Sequence, residues 1–382
     1  MNSSWGSVVN ATLSSNAISA PVDPFSGPLN TIEPWNFKLL ATLMFFVTFL
    51  SLSENFTVLL VTYKYKQLRQ PLNYIILNLS LADFLVSVIG GTLSFITNLY
   101  GYFVLGPWAC VLEGFAVTFF GIVALWSLAV LAFERYFVIC RPLGNIRLQG
   151  KHAALGIVFI WVFSFIWTIP PTIGWSSYTV SPIGTTCEPN WYSGEFNDHT
   201  YIIAFFTTCF IMPLLVIFVS YGKLIRKLRK VSDTQGRLGV ARKPEKQVTR
   251  MVIVMILAFL FCWSPYAAFS IIVTACPAIE LDPRLAAIPA FFSKTATVYN
   301  PVIYVFMNRK FRKCVLQMFS LSEPDTNPTA ENPMQGGNKN EREMSTIARM
   351  KTSYVNTTKH EECSKRDTFP QLPIPENEVC PV

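Results

Sequence analysis

A lysine stands where a membrane-spanning chain can least afford one. Lys294 lies in the apolar run from Leu285 to Phe306, where a charged amine costs on the order of 2.5 to 3.5 kcal/mol. A desolvated amine is held toward its neutral, nucleophilic form and forms Schiff bases with carbonyl compounds, so an aldehyde is the first ligand to consider. The competing reading is a lysine that snorkels to an interface. Asn308, Arg309 and Lys310 mark that interface only 14 residues further on, about 21 Å of helix, which is too far for the side chain to reach. A buried cation needs a buried anion, and Glu113 is the acid at the matching depth.

Other polar residues inside apolar runs must also find partners there. Asn55, Asp83 and Asn300 fall near the middle of three different runs, where they could share a hydrogen-bonded cluster, hydrated or holding sodium. Glu134-Arg135-Tyr136 stands 21 residues after Glu113, about 32 Å of helix, so the two acids serve different ends of one element. Asn300-Pro301-Val302-Ile303-Tyr304 and Cys262-Trp263-Ser264-Pro265-Tyr266 place prolines inside helical runs, where the missing amide permits a hinge. Glu54 has no evident partner. Cys110 and Cys187 flank segments on the same side of the membrane and could form a disulfide, while the other cysteines read as packing residues or free thiols.

The elements that carry these residues follow from hydropathy. Of 382 residues, 51% are hydrophobic and only 14% charged, against about 25% charged in soluble domains. Seven runs can cross a bilayer: 36–63, 72–99, 108–139, 152–173, 200–226, 248–275 and 285–307. The expected fold is an all-α membrane protein of seven transmembrane helices with an amphipathic cytoplasmic surface helix. Basic residues cluster after the first and third runs and between the fifth and sixth, which puts the N-terminus outside in a multi-pass protein of the cell membrane. The net charge of +8 then belongs to loops facing anionic lipid and a cytosolic partner, and no nucleic-acid motif accompanies it.

Four regions are expected: an extracellular glycosylated tail over 1–34, a core over 35–307, the surface helix over 308–320 and a disordered cytoplasmic tail over 321–382. Asn2 and Asn10 begin glycosylation sequons, and nothing before the first run reads as a cleavable leader. In the surface helix Phe311, Val315 and Phe319 oppose Arg309, Arg312 and Lys313. The tail has few large apolar residues and carries Ser345, Thr346, Thr352, Ser353, Thr357 and Thr358 as phosphorylation candidates.

Taken together, Asn55, Leu79 to Asp83, Cys110 with Cys187, Glu134-Arg135-Tyr136, Trp161, Cys262 to Tyr266 and Asn300 to Tyr304 resemble the pattern of rhodopsin-class G-protein-coupled receptors. Phe292-Ser293-Lys294-Thr295 with Glu113 narrows the resemblance to vertebrate ciliary opsins. Leu72 to Ile75, Gly114 to Val117 and Cys187 to Tyr192 are most similar to the vertebrate ancient opsins, a non-visual group. The resemblance covers nearly the whole chain apart from the tails.

It implies 11-cis retinal bound covalently to Lys294 as a protonated Schiff base with Glu113 as counterion, and Gly121, Ile122, Phe210, Trp263 and Tyr266 around it. No metal cofactor is implied. It further implies that Glu134 and Glu245 hold Arg135 until activation, that Asn300, Pro301 and Tyr304 belong to the same switch, and that a heterotrimeric G protein of the transducin and inhibitory class docks on the cytosolic side. A receptor kinase and arrestin would act on the tail.

Three positions depart from the pattern. Ser181 replaces a glutamate common in opsins, which leaves the counterion burden on Glu113, with Asp83 and Glu188 the next acids. Only Cys314 lies in the surface helix, which weakens the case for palmitoylation. Cys209 replaces a histidine near the ligand ring. Function as a non-enzymatic light-activated receptor is expected. The alternative, a retinal photoisomerase, needs the lysine and the acid but not Glu134-Arg135-Tyr136 or a Ser/Thr-bearing tail.

Overall fold

The computed structural model describes residues 23–140, 150–234, 243–277, 279 and 282–319, without the side chains of 228–234 and 243–246. The sequons at Asn2 and Asn10, the side chain of Glu245 and the tail beyond 319 lie outside the described residues.

Seven long helices form a bundle: α1 (Pro34–Lys64), α2 (Pro71–Tyr100), α3 (Gly106–Cys140), α4 (Gly150–Thr168), α5 (Phe196–Lys227), α6 (Lys243–Ala275) and α7 (Pro283–Met307). A short helix, α8 (Arg309–Met318), follows. Proline at the first turn starts α1, α2 and α7, where its missing amide costs nothing. Among the described residues six helices are long and apolar enough to cross a membrane. The seventh, α7, falls short because Ser293, Lys294, Thr295, Thr297 and Asn300 interrupt its apolar run. Those same residues are the ones its bundle-facing side needs.

Helix α3 is the axis of the fold, packing against α2, α4, α5 and α6. Its most apolar window is 72% buried, whereas that of α4 is only 22% buried. An all-round apolar helix is thus read as core in one case and as lipid-facing in the other, a distinction hydropathy alone does not make. The bundle's outer surface carries exposed Phe46, Phe49, Leu155, Phe218 and Phe261, an apolar surface suited to lipid.

Two helices contain π turns, Ser87–Gly91 in α2 and Phe206–Ile211 in α5. Such turns often mark functional sites, and the second forms part of a cavity wall. Pro265 lies inside α6, and Pro289 and Pro301 lie inside α7.

One end of the bundle is roofed by an antiparallel hairpin of β1 (Tyr178–Val180) and β2 (Cys187–Pro189). A Cys110–Cys187 disulfide, with a Cα–Cα distance of 5.2 Å, ties β2 to the start of α3. Tyr178 crosses α3 at Gly114, where an added Cβ would come within 2.6 Å of the ring. Only glycine permits that approach.

At the other end α8 begins with Asn308, whose side chain accepts the Phe311 amide at 3.1 Å. Phe311 and Cys314 are buried, and Phe311 packs on Tyr304 with ring centroids 4.4 Å apart. Gln67 donates to the Cys314 sulfur at 3.0 Å. Phe319, expected on the apolar face of this helix, is exposed.

Candidate functional site

Lys294 comes from the middle of α7 and points into the bundle rather than toward either end, its side chain only 10% exposed. The Nζ donates to Glu113 Oε1 at 3.2 Å and to the Thr186 hydroxyl at 2.9 Å, and it also bonds the Ser94 hydroxyl. Glu113, on α3, is fully buried. Ser94 of α2 donates to its Oε1 at 2.5 Å, and the Cys187 amide donates to Oε2 at 3.1 Å. The carboxylate is thus held by a side chain from one helix and a backbone group from the roof, with the disulfide fixing the second. A buried ion pair is tolerable only when such additional hydrogen bonds satisfy the remaining lone pairs.

Beside this pair lies a cavity. Gly121, Ile122, Phe210, Trp263 and Tyr266, all named from the sequence, line it, as do Lys294 and Glu188. Its surface is otherwise mainly aromatic and aliphatic, including Phe205, Phe206 and Phe259. At Gly121 an added Cβ would stand 3.1 Å from the Trp263 ring, so a larger residue would press on α6. Cys209 is buried on the same wall. An elongated apolar molecule with one carbonyl end fits this donor set: apolar walls for its length and one amine at the end for its carbonyl.

Deeper in the bundle the three residues of the expected cluster are joined indirectly, with Ser51 and Ser87 standing between Asn55 and Asp83. Asn300 donates to Asp83 Oδ2 at 2.9 Å. Asn55 instead donates to the Thr297 carbonyl at 2.9 Å and to Ser51, strapping α1 to α7. The two parts are linked through Ser51, which lies 2.6 Å from the Ser87 hydroxyl, and Ser87 donates to the Asp83 carbonyl at 2.9 Å. Among the described residues no cluster of three or more His, Cys, Asp or Glu could hold a metal.

Toward the opposite end Arg135 bonds both oxygens of its neighbour Glu134, a bidentate pair that is largely buried. Arg135 lines a second cavity with Gln247, Met251 and Met307. Lys223 stands 5.9 Å over the Tyr136 ring. Tyr304 donates to Asn73 at 2.9 Å, joining α7 to α2 beside Pro301. Trp161 donates to Asn78 at 2.6 Å, and Asn78 in turn to Ser127 at 2.9 Å, which ties α4, α2 and α3. Glu54 stays unexplained, with one buried carboxylate oxygen unpartnered among the described residues.

Sequence reading missed Ser94 and Thr186, because helical and loop hydroxyls usually satisfy themselves locally and give no signal. Of the next acids named there, Glu188 is buried and lines the cavity, while the Ser181 hydroxyl is buried without a partner among the described residues.

With this geometry in view, residues 54–304 match the family described as 7 transmembrane receptor (rhodopsin family). The chain is 68% identical to Opsin-VA of Rutilus rutilus over 96% of its own length and 98% of that protein. It is 75% identical to Vertebrate ancient opsin of Salmo salar over 75% of this chain and 88% of that one, and 67% identical to Pineal opsin of Petromyzon marinus over 81% and 70%. Among solved structures, squid rhodopsin superposes with a TM-score of 0.71 at 26% identity, covering 76% of this chain and 87% of that one.

Proposed function

The chain belongs to the seven-transmembrane receptors of the rhodopsin family, and from that premise we propose how its buried pair and its cavity work together. It is a light-sensing opsin, embedded in a membrane, with a retinal chromophore and a G protein as its signalling partner.

The finer reading rests on one observation, the Lys294–Glu113 pair at the end of an aromatic cavity. Lys294 holds 11-cis retinal covalently, and retinal when bound supplies visible-light absorption and a change of shape on isomerisation. Glu113 keeps a proton on the linking nitrogen, because an adjacent carboxylate reverses the preference of a dry site for the neutral form. Ser94, Thr186 and the Cys187 amide orient that carboxylate. Trp263 and Tyr266, on either side of Pro265, couple cavity shape to the bend of α6. A ligand whose fit differs between two packings shifts their populations by that difference. At the far end Glu134 restrains Arg135 over the cavity that a G protein of the transducin and inhibitory class enters once α6 moves.

The N-terminus lies outside the cell and carries sugars at Asn2 and Asn10. The residues beyond 320 form a cytoplasmic tail, a substrate for a receptor kinase and, once phosphorylated, a ligand for arrestin. Reconstitution with 11-cis retinal tests the central claim. A visible band in the dark that changes on illumination, with light-dependent nucleotide exchange on the G protein, is expected. A band without light-dependent exchange would mean photoisomerase chemistry instead, and no band would overturn the reading.

A further inference from the structure

Among the described residues Glu188 is the buried acid of the hairpin roof, and it lines the cavity. It follows Cys187 on β2, is 6% exposed, and lines the same cavity as Lys294. Both of its oxygens are engaged by hydroxyl donors: Tyr266 of α6 donates to Oε2 at 2.5 Å and Tyr192 of the roof donates to Oε1 at 2.7 Å. The Tyr266 oxygen itself accepts a hydrogen bond from the Trp191 indole at 3.1 Å, which leaves its own hydrogen for Glu188. Two hydroxyl donors, one on each oxygen, satisfy the ionised form of the acid.

We propose that Glu188 is a second acidic partner of the cation at Lys294, held ready by Tyr192 and Tyr266, so that the cavity keeps a stabilising negative charge when Glu113 is neutral. This inference rests on the reading of Lys294 as the retinal-bearing residue. Burial pushes the Glu188 carboxyl above the usual carboxylate range, while the hydroxyls of Tyr266 and Tyr192 and then the charge of Lys294 draw it back toward the ionised form. The titratable groups facing it are Tyr192 from the roof, Tyr266 from α6 and Lys294 from α7, with Glu113 of α3 bonded to the adjoining Cys187 amide and Cys209 of α5 on the shared wall. Asp198 and His199 at the start of α5 are engaged elsewhere, with Asn190 and Ser193 and with the Thr274 carbonyl.

The role explains how a roof with Ser181 still brings an acid to the ligand. The acid is displaced along the hairpin, from the strand that ends at Val180 to the strand that starts at Cys187.

The test uses the full chain reconstituted with 11-cis retinal in halide-free buffer, comparing wild type, Glu113→Gln, Glu188→Gln and the double variant as the visible band is titrated with pH. Glu188→Gln alone is expected to lower the midpoint by less than it does where Glu113 is also replaced. In the Glu113→Gln background it is expected to lower the midpoint by about one pH unit or more, a tenfold change in proton affinity. Glu188→Asp should restore part of that shift, and Tyr192→Phe should reproduce part of it with the acid still present. Identical titrations of Glu113→Gln and the double variant would overturn the proposal.

A second arm needs no retinal. The infrared carboxyl band of the ligand-free protein that is lost in Glu188→Gln should appear at higher pH once Lys294→Ala removes the cation, and an unmoved band would also overturn it. A wild type that forms no pigment would instead overturn the reading of Lys294 and leave the infrared outcome to decide the Glu188 contact.

Discussion

Among the described residues two ion pairs are buried, and they are built on opposite plans. Lys294–Glu113 joins residues 181 positions apart, on α7 and α3, under a disulfide-tethered roof. Glu134–Arg135 joins neighbours on α3 alone, beside an open cavity. Breaking the first leaves an uncompensated charge between packed helices, which costs several kcal/mol in buried pairs. Breaking the second separates no helices, because both partners ride on the same one. The first arrangement suits a site that must stay assembled, and the second suits a restraint that must be given up.

The contrast is broken most severely at its cationic end. Lys294→Ala should abolish visible pigment altogether while the protein still reaches the membrane, as absorption spectra and surface labelling would show. An acid-stable retinal adduct in that variant would remove Lys294 from the chemistry. Next in size, Glu113→Gln should lower the pH at which half of the visible band is lost by about 3 units, the scale set by an adjacent carboxylate. The sign follows from the charge: without the anion the cation is less stable, so the proton leaves at lower pH. A titration that stays with wild type would make Glu113 a structural residue.

Glu134→Gln tests the other pair and should act in the reverse direction, raising G-protein activation in the dark while leaving the absorption spectrum in place. Dark nucleotide exchange on reconstituted receptor is the measurement, and an unchanged rate would reduce the pair to packing. Smallest of all, Tyr304→Phe removes the bond to Asn73 and should cost about 1 to 3 kcal/mol of thermal stability, since a buried acceptor is left unpaired. A melting temperature equal to wild type would mean that Asn73 finds another donor.

The same contrast separates what the sequence discloses from what it hides. Lys294 announces itself because charge in an apolar run is expensive, and Glu113 follows from counting along one helix. Arg135 and Glu134 are adjacent, so their pairing needs no tertiary knowledge. The bundle is legible for the same reason, since each long helix is one apolar run. Ser94 and Thr186 are not, because their partners lie 19 and 73 residues from them at Glu113 and nothing in a hydroxyl's neighbours reveals such a bond. Asn55 is a related case: three buried polar residues at similar depth suggest one cluster, but the serines that join them, Ser51 and Ser87, give no such signal. The exposure of α4 and the burial of α3 are likewise settled by packing rather than by composition.

The π turn at Phe206–Ile211 carries a consequence for inheritance. A π turn holds one residue more than the α turn it replaces, so it is slack stored in the middle of α5. Loss of a single codon within it can be taken up by tightening that turn, which leaves Ile217, Tyr221 and Leu224 on the faces they now bury. The same loss one turn later has no slack to draw on and swings those three toward lipid by about 100°. In-frame deletions along this helix should therefore fall into two kinds: those inside the turn that spare the fold and reshape only the cavity wall at Cys209 and Phe210, and those beyond it that dismantle the bundle.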